Sequence, residues 1–351
     1  MSADSKNIWL HRYAVLTAAV TLPLIFIGGL VTSHDAALAV PDWPTSYGYN
    51  MFLFPWKKMV GGIFYEHTHR LVASTVGFMT IFLALGFGWI EKRAWVRNLA
   101  FAALVLVIVQ GILGGLRVVM LMKGIAIFHA CLAQAFFCLL SALALFTSAW
   151  WRRQEREPLR QDAWNLRRLS LGLTALIFLQ LVVAATMRHT NSGLAIPDFP
   201  TMYGKWIPPL DAAQLDAVNQ SRIWKWNLEP VAMWQIVLHL THRILAFLIA
   251  LVAVYGILRV RRGSGDPTVS SLLNKLALLV LVQIGLGISV IWTQKAADVA
   301  TAHVAVGALI LMTSVLWTLV CHRVFRPAGV LASVPDSDMM QSSTALRGVK
   351  P

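Results

Sequence analysis

The stretch Tyr65-Glu66-His67-Thr68-His69-Arg70 returns later in the chain as Leu238-His239-Leu240-Thr241-His242-Arg243. Thr-His-Arg is common to both copies. Three positions before the shared histidine they differ, with Glu66 in the first and His239 in the second. The copies lie 173 residues apart, Val109-Gln110 and Val282-Gln283 keep that spacing, and His129 and His303 are offset by 174. An earlier match, Leu38-Ala39-Val40-Pro41-Asp42-Trp43-Pro44-Thr45-Ser46-Tyr47-Gly48 against Leu194-Ala195-Ile196-Pro197-Asp198-Phe199-Pro200-Thr201-Met202-Tyr203-Gly204, has an offset of 156. The second half therefore carries 17 extra residues between this motif and the Thr-His-Arg segment. Matches that recur in the same order make the chain two copies of one unit.

Of 351 residues, 57% are hydrophobic and 13% charged, which is too apolar for a soluble domain of this length. A spanning helix needs about 20 mostly apolar residues, and eight runs qualify: 12–32, 66–90, 98–118, 125–151, 169–187, 234–258, 275–293 and 301–322. The short connections Glu91 to Arg97, Trp151 to Arg168 and Arg259 to Lys275 are basic, so the positive-inside rule places them in the cytoplasm with both termini. On this reading the net charge of +14 reports topology and not nucleic-acid binding. The two long loops, 33–64 and 188–233, fall on the outer side and are rich in Pro, Trp and Tyr, as segments at the lipid headgroup level are. The N-terminus, with Asp4, Lys6 and Arg12 ahead of a long apolar run, lacks a cleavage pattern and reads as uncleaved.

The expected fold is an all-α membrane protein whose eight transmembrane helices form two pseudo-symmetric four-helix bundles, running parallel because four spans return the chain to the same side. Residues 1–151 make the N-terminal bundle, 152–168 a cytoplasmic linker and 169–326 the C-terminal bundle. The polar segment 327–351 has no helical periodicity and reads as a disordered cytoplasmic tail.

Cys131, Cys138 and Cys321 have neither CxxC nor CxxCH spacing, which leaves a disulfide framework, a zinc site and covalent c-type heme unsupported. Of the ten histidines, His11 and His322 sit at cytoplasmic ends and His34 and His189 in outer loops, where solvated roles dominate. His69, His129, His242 and His303 differ. Each lies near the outer end of an even-numbered span, and within a half they pair at separations of 60 and 61 residues. One such histidine would read as a side chain hydrogen-bonded to a neighbouring helix. Four at matched positions of a duplicated unit point to two axial imidazoles on each of two heme irons. No Cys, Asp or Met joins both pairs, which disfavours zinc or copper. Arg70 and Arg243 adjoin the ligands and have two readings, as contacts to heme propionates or as interface anchors. Glu66 shares a helix face with His69 at i, i+3. It has two readings as well: a carboxylate that takes a proton or stabilises positive charge beside the first iron, or a headgroup-level acid paired with Arg70 or His67.

Glu66-His67-Thr68-His69-Arg70, Pro41-Asp42-Trp43-Pro44 and the repeated histidine pairs resemble the heme A synthase family over residues 10–325 or so. The resemblance implies that heme b is the cofactor, held by His242 and His303, and that the farnesylated substrate heme O binds near His69 and His129. It implies oxidation of the C8 methyl in two steps, through a hydroxymethyl, to the formyl group of heme A. Oxygen would come from water and electrons would leave to an unidentified acceptor, with Glu66 as the catalytic residue. A bacterial inner-membrane location follows, with the heme sites near the outer face and with a heme O synthase or cytochrome oxidase assembly factors as partners. Some members carry a cysteine pair in the first outer loop. Residues 33–64 contain none, so a disulfide-dependent step is not expected here.

Two readings from other classes compete. One is a non-catalytic diheme membrane cytochrome that passes quinol electrons to an outer-side partner; the other is a heme carrier without redox chemistry. The unmatched Glu66 favours an enzyme, because an electron carrier gives no reason for the halves to differ there.

Overall fold

The computed structural model describes residues 3–153, 163–208, 211–263 and 266–325. The expected tail over 327–351, and residues 154–162 of the expected linker, lie outside them. The helices in order are α1 (Ala3–Ser33), α2 (Gly62–Ile90), α3 (Ala94–Met120), α4 (Lys123–Thr147), a short α5 (Ala149–Arg153), α6 (Ala163–His189), α7 (Ala212–Trp226), α8 (Met233–Gly263), α9 (Pro267–Trp292) and α10 (Ala297–Val324). Strand pairing among the described residues is limited to two isolated bridges, Ser46 with Tyr49 and Met202 with Lys205. Eight helices, α1 to α4, α6 and α8 to α10, are long and apolar enough to cross a membrane. At about 1.5 Å per residue even the 25-residue α4 exceeds the roughly 30 Å of a hydrocarbon core. The chain is an all-α, multi-pass membrane protein.

Local chemistry sets the helix ends. Pro267 opens α9 behind Asp266, whose carboxylate accepts the N–H groups of Thr268 (2.8 Å) and Val269 (2.9 Å) as an N-cap. The fourth span ends at Thr147 and not at residue 151, because the Ser148 hydroxyl accepts the Trp151 N–H (3.0 Å) and starts α5 as a separate turn. The larger difference from expectation is α7. Residues 188–233 read as one loop, yet Ala212–Trp226 is helical and occupies the stretch that holds the 17 residues missing from the first half.

Helices α1 to α4 pack in a ring, α1 on α2, α2 on α3, α3 on α4 and α4 on α1. Helices α6, α8, α9 and α10 repeat that order. Leu83, Phe87, Leu140 and Leu143 are fully buried in the first ring, and Leu173, Leu273, Leu276 and Trp317 in the second. Large apolar side chains such as Phe82, Trp89, Val105, Leu278 and Leu281 point outward, which costs little in lipid because lipid tails are as apolar as the side chains. The most buried spans are α4 and α10, which pack on each other at the centre. Helix α1 also meets α10, and α4 meets α6.

The end of the molecule that carries both long loops, called the loop face below, is tied across the halves. Arg188 at the end of α6 donates to the Gly29 carbonyl (2.6 Å) and the Ser33 hydroxyl (2.7 Å) of α1, and Ser33 meets Thr301 of α10 at 3.1 Å. A Cβ on Gly29 would stand 2.8 Å from Thr301 Cγ2, so a glycine permits this approach of α1 to α10.

Candidate functional site

Each half carries the same loop above its histidines. In the first, Asp42 accepts the N–H groups of Tyr47 (2.7 Å) and Gly48 (2.9 Å) and the hydroxyl of Thr45. In the second, Asp198 accepts from Tyr203 (2.6 Å), Gly204 (2.8 Å) and Thr201 (2.7 Å). Tyr47 and Tyr203 each donate back to the carbonyl eight residues earlier, at Ala39 and Ala195. Gly48 and Gly204 take φ of +74° and +75°, where a residue with a side chain is strained. Partial burial pushes the Asp42 carboxyl up, but the hydrogen bonds from Gly48, Thr45 and Tyr47 outweigh it and hold the group at about 2. Burial raises Asp198 likewise, but its own donors Gly204, Thr201 and Tyr203, with Arg243, outweigh it and hold the group below the usual carboxylate range.

A carboxyl depressed in the folded state contributes stability that is complete above its unfolded value, ordinarily about 3.9, and is lost as pH falls through its folded value. Amide hydrogen exchange at Tyr47 and Gly48 is therefore expected to be equally slow, after correction for intrinsic rates, from pH 7 down to about 5. It should accelerate between roughly pH 4 and 2. Asp42→Asn should exchange fast throughout, with no acid transition, and an acid transition that survives in the variant would exclude Asp42 as its source.

Below the loops, Arg70 and Arg243 do one job. Arg70 donates to the carbonyls of Val40 (2.9 Å), Asp42 (2.7 Å) and Thr45 (3.0 Å), and Arg243 to those of Ile196 (3.3 Å), Asp198 (2.7 Å) and Thr201 (3.3 Å), which are the aligned positions. Anchoring the loops is a role beside the two that the sequence suggested for these arginines, propionate contact and interface anchor.

The residue that distinguishes the halves is tied into the same frame. Glu66 accepts the Val40 N–H on Oε2 (2.9 Å) and Arg70 on Oε1 (2.9 Å). His239 faces the aligned donors, the Ile196 N–H at Nδ1 (3.1 Å) and Arg243 Nε at Nε2 (3.3 Å). A carboxylate accepts both, whereas a neutral imidazole has one accepting nitrogen, and the second half has the longer contacts. Both residues are buried. His67 points elsewhere, to the Ser46 hydroxyl (3.1 Å) and the Phe54 ring, and His34 stacks on Tyr65.

His129 and His303 sit in matched surroundings, whereas His69 and His242 meet different neighbours on α1 and α6. His129 on α4 has its carbonyl bonded by Gln110 of α3 (3.1 Å), and Gly114 of α3 faces its ring. His303 on α10 has its carbonyl bonded by Gln283 of α9 (2.9 Å), and Gly287 faces its ring. A Cβ on Gly28 of α1 would come within 3.0 Å of the His69 ring, and Gln180 of α6 bonds the His242 carbonyl at 3.0 Å. In all four, Nδ1 is buried without a hydrogen-bond partner, an unusual state for a buried polar atom unless a group outside the chain engages the ring. The centroids of His242 and His303 are 6.4 Å apart with a tilt of 57°. Imidazoles about 2.0–2.1 Å from one metal place their centroids roughly 6 Å apart. Among the described residues no cluster of three or more His, Cys, Asp or Glu could hold a metal by itself. The donor set therefore suits an iron whose remaining ligands come from a macrocycle.

Sequence reasoning missed Arg117 and His189, which stand within electrostatic range of His129, and Arg188, which stands within range of His303. Arg117 sits inside an apolar run and His189 in what read as an outer loop. The signal available was the repeat itself, since the position aligned with Arg117 is Val290. A separate cavity of about 350 Å³ opens beside the second loop, between Pro197, Asp198, Phe199, Trp226 and Trp292. None of the four histidines lines it.

Comparison with known proteins supports this architecture. Heme A synthase of Halalkalibacterium halodurans is 26% identical over 328 residues, covering 90% of this chain and 97% of that protein. Heme A synthase of Shouchella clausii is 27% identical over 326 residues, covering 90% and 96%. Heme A synthase COX15 of Homo sapiens is 26% identical over 347 residues, covering 88% and 81%. The COX15-CtaA model, described as cytochrome oxidase assembly protein, matches residues 11–315. With that match running through both histidine pairs and both loops, the chain belongs to the COX15-CtaA family of cytochrome oxidase assembly proteins.

Proposed function

We propose that the protein is a heme A synthase, an enzyme that oxidises the C8 methyl of heme O to the formyl group of heme A. The observation that carries this reading is the asymmetry of two otherwise matched sites. Both halves present a half-buried histidine pair whose Nδ1 atoms are buried and unpartnered, and only the first has a carboxylate, Glu66, where the other has His239. The first half, residues 1–151, receives heme O at His69 and His129. In the second, 169–326, His242 and His303 would hold heme b, which would supply one-electron redox chemistry.

The chain's own residues do the rest. His69 and His129 fix the substrate's depth and tilt. Arg70 and Glu66 hold the first loop over the pair through Val40, Asp42 and Thr45, and the Glu66 carboxylate offsets positive charge on the oxidised substrate and accepts a proton as the methyl is converted. Water supplies the oxygen, and a hydroxymethyl stage precedes the formyl. The two rings of helices act as pseudo-symmetric bundles in a bacterial inner membrane, with termini in the cytoplasm and the loop face outside. A heme O synthase upstream and oxidase assembly factors downstream are the fitting partners.

The test is extraction of hemes from a heme O-producing host with and without this chain. Heme A in the first extract alone is the expected result. A diheme electron carrier would leave heme O as the only farnesylated heme in both extracts, which would end the enzyme reading.

A further inference from the structure

One face of α3 carries Gln110, Gly114 and Arg117, at i, i+4 and i+7. Gln110 bonds the His129 carbonyl and Gly114 meets the His129 ring, so Arg117 comes next on the face that looks into the first-half pair. It stands about 4–5 Å nearer the loop face than Gly114 at helical rise. The aligned face of α9 carries Gln283, Gly287 and Val290: the first two make the same contacts with His303, and the third is apolar. The aligned position thus holds a cation in the first half and an apolar residue in the second, whose His303 is within range of Arg188, a cation already bonded to Gly29 and Ser33.

That cation lacks a partner. Arg117 is partly buried and has no hydrogen bond or ion pair among the described residues, where the ion pairs are Arg70 with Glu66 and Arg93 with Glu91. Within its electrostatic reach lie His69, His129 and Glu66, and also Arg188 and His189 of α6. Glu66 is already bonded to Arg70 and the Val40 N–H, and both terminal nitrogens of Arg70 are used on the loop and on Glu66. Beside Arg117, a Cβ on Gly115 would overlap the Trp43 ring, so that ring packs directly on the α3 backbone. A partly buried guanidinium with free donors next to a histidine pair calls for an anion, and its fork of N–H groups matches a carboxylate.

We infer that Arg117 is the anchor for a propionate carboxylate of the macrocycle bound between His69 and His129, and so a determinant of substrate orientation that the second half lacks. This rests on the first-half pair being the substrate site. With its carboxylate edge held at Arg117, the macrocycle can be seated in one of its in-plane orientations, which fixes the methyl that faces the reacting groups.

The test uses the full-length protein in detergent, loaded with heme b, and titrates it with heme O and with heme O dimethyl ester while following the absorbance change. Wild type is expected to prefer the diacid. Arg117→Gln should weaken heme O binding about tenfold, the size expected for losing one hydrogen bond to a charged group, and leave the ester unchanged. Arg117→Lys should recover part of the preference. The heme b spectrum, unaltered in both variants, reports that the fold is intact. A preference for the diacid that survives in Arg117→Gln, or an equal loss for diacid and ester, would overturn the anchor. If wild-type binding of heme O is indifferent to His69→Ala, the reading of that pair as the substrate site fails, and the anchor with it.

Discussion

Purified His242→Ala and His303→Ala proteins are expected to lack the low-spin absorption of heme b almost completely. An iron with two axial imidazoles that loses one becomes five-coordinate, and its bond to the remaining helix no longer ties α8 to α10. The neighbours Gln180, Gln283 and Gly287 carry no imidazole or sulfur to take the place of a lost ligand, and the two glutamines bond the histidine carbonyls. His69→Ala and His129→Ala make the control. They should keep the heme b spectrum and lose heme O binding, because their helices, α2 and α4, belong to the other ring. Bis-histidine absorption that persists unchanged in both His242→Ala and His303→Ala would show that the second pair has been misassigned.

The second large effect concerns Glu66. If its carboxylate takes part in oxidising the C8 methyl, removing the charge should depress heme A formation by about 10²–10⁴-fold, the usual worth of a general base. Glu66→Gln is an imperfect probe, because one end of the amide is a donor and would face either the Val40 N–H or Arg70. Glu66→His is the better variant. A neutral imidazole also has one donor nitrogen, but the second half shows its loop held in place with that mismatch, at longer contacts. The expected result is a folded protein with normal heme b, an intact first loop and almost no heme A, with the hydroxymethyl form enriched if the second step depends more on the carboxylate. Wild-type heme A output from Glu66→His would reduce Glu66 to a loop clamp.

Much of this was legible in the chain before any coordinates. Apolar runs located all eight spans, since a bilayer demands length and hydrophobicity that little else in the sequence can imitate. The twin motifs marked the loops because their contacts are local, with Asp42 and Asp198 bonding residues three to six positions on. Helix α7 escaped notice since it is half polar and is held by single side chains: Arg222 donates to the Leu194, Ala195 and Glu229 carbonyls, and Asn219 pairs with the Val231 backbone. No periodicity announces an arginine buried against carbonyls. The spacing of Glu66 and His69 suggested a shared face, but not that Glu66 would reach back 26 residues to Val40. Contacts between the halves, such as Arg188 with Gly29 and Ser33, depend on how two rings dock and left no mark at either end of the chain.

The way the rings dock has an evolutionary consequence. Helix α4 of one half packs on α10, its counterpart in the other, while α1 packs on α10 and α6 on α4, which is the same contact seen from each side. Reciprocity of this kind belongs to isologous interfaces, where one surface patch meets a copy of itself. The core records it too: Ala308 of α10 joins the cluster of the first ring, and Cys138 of α4 joins that of the second. An ancestral gene encoding one such unit would thus have made a homodimer with two identical sites. Fusion of two copies freed each site to change alone, so that an arginine could enter at position 117 and a carboxylate be confined to position 66 without the same residue appearing across the interface.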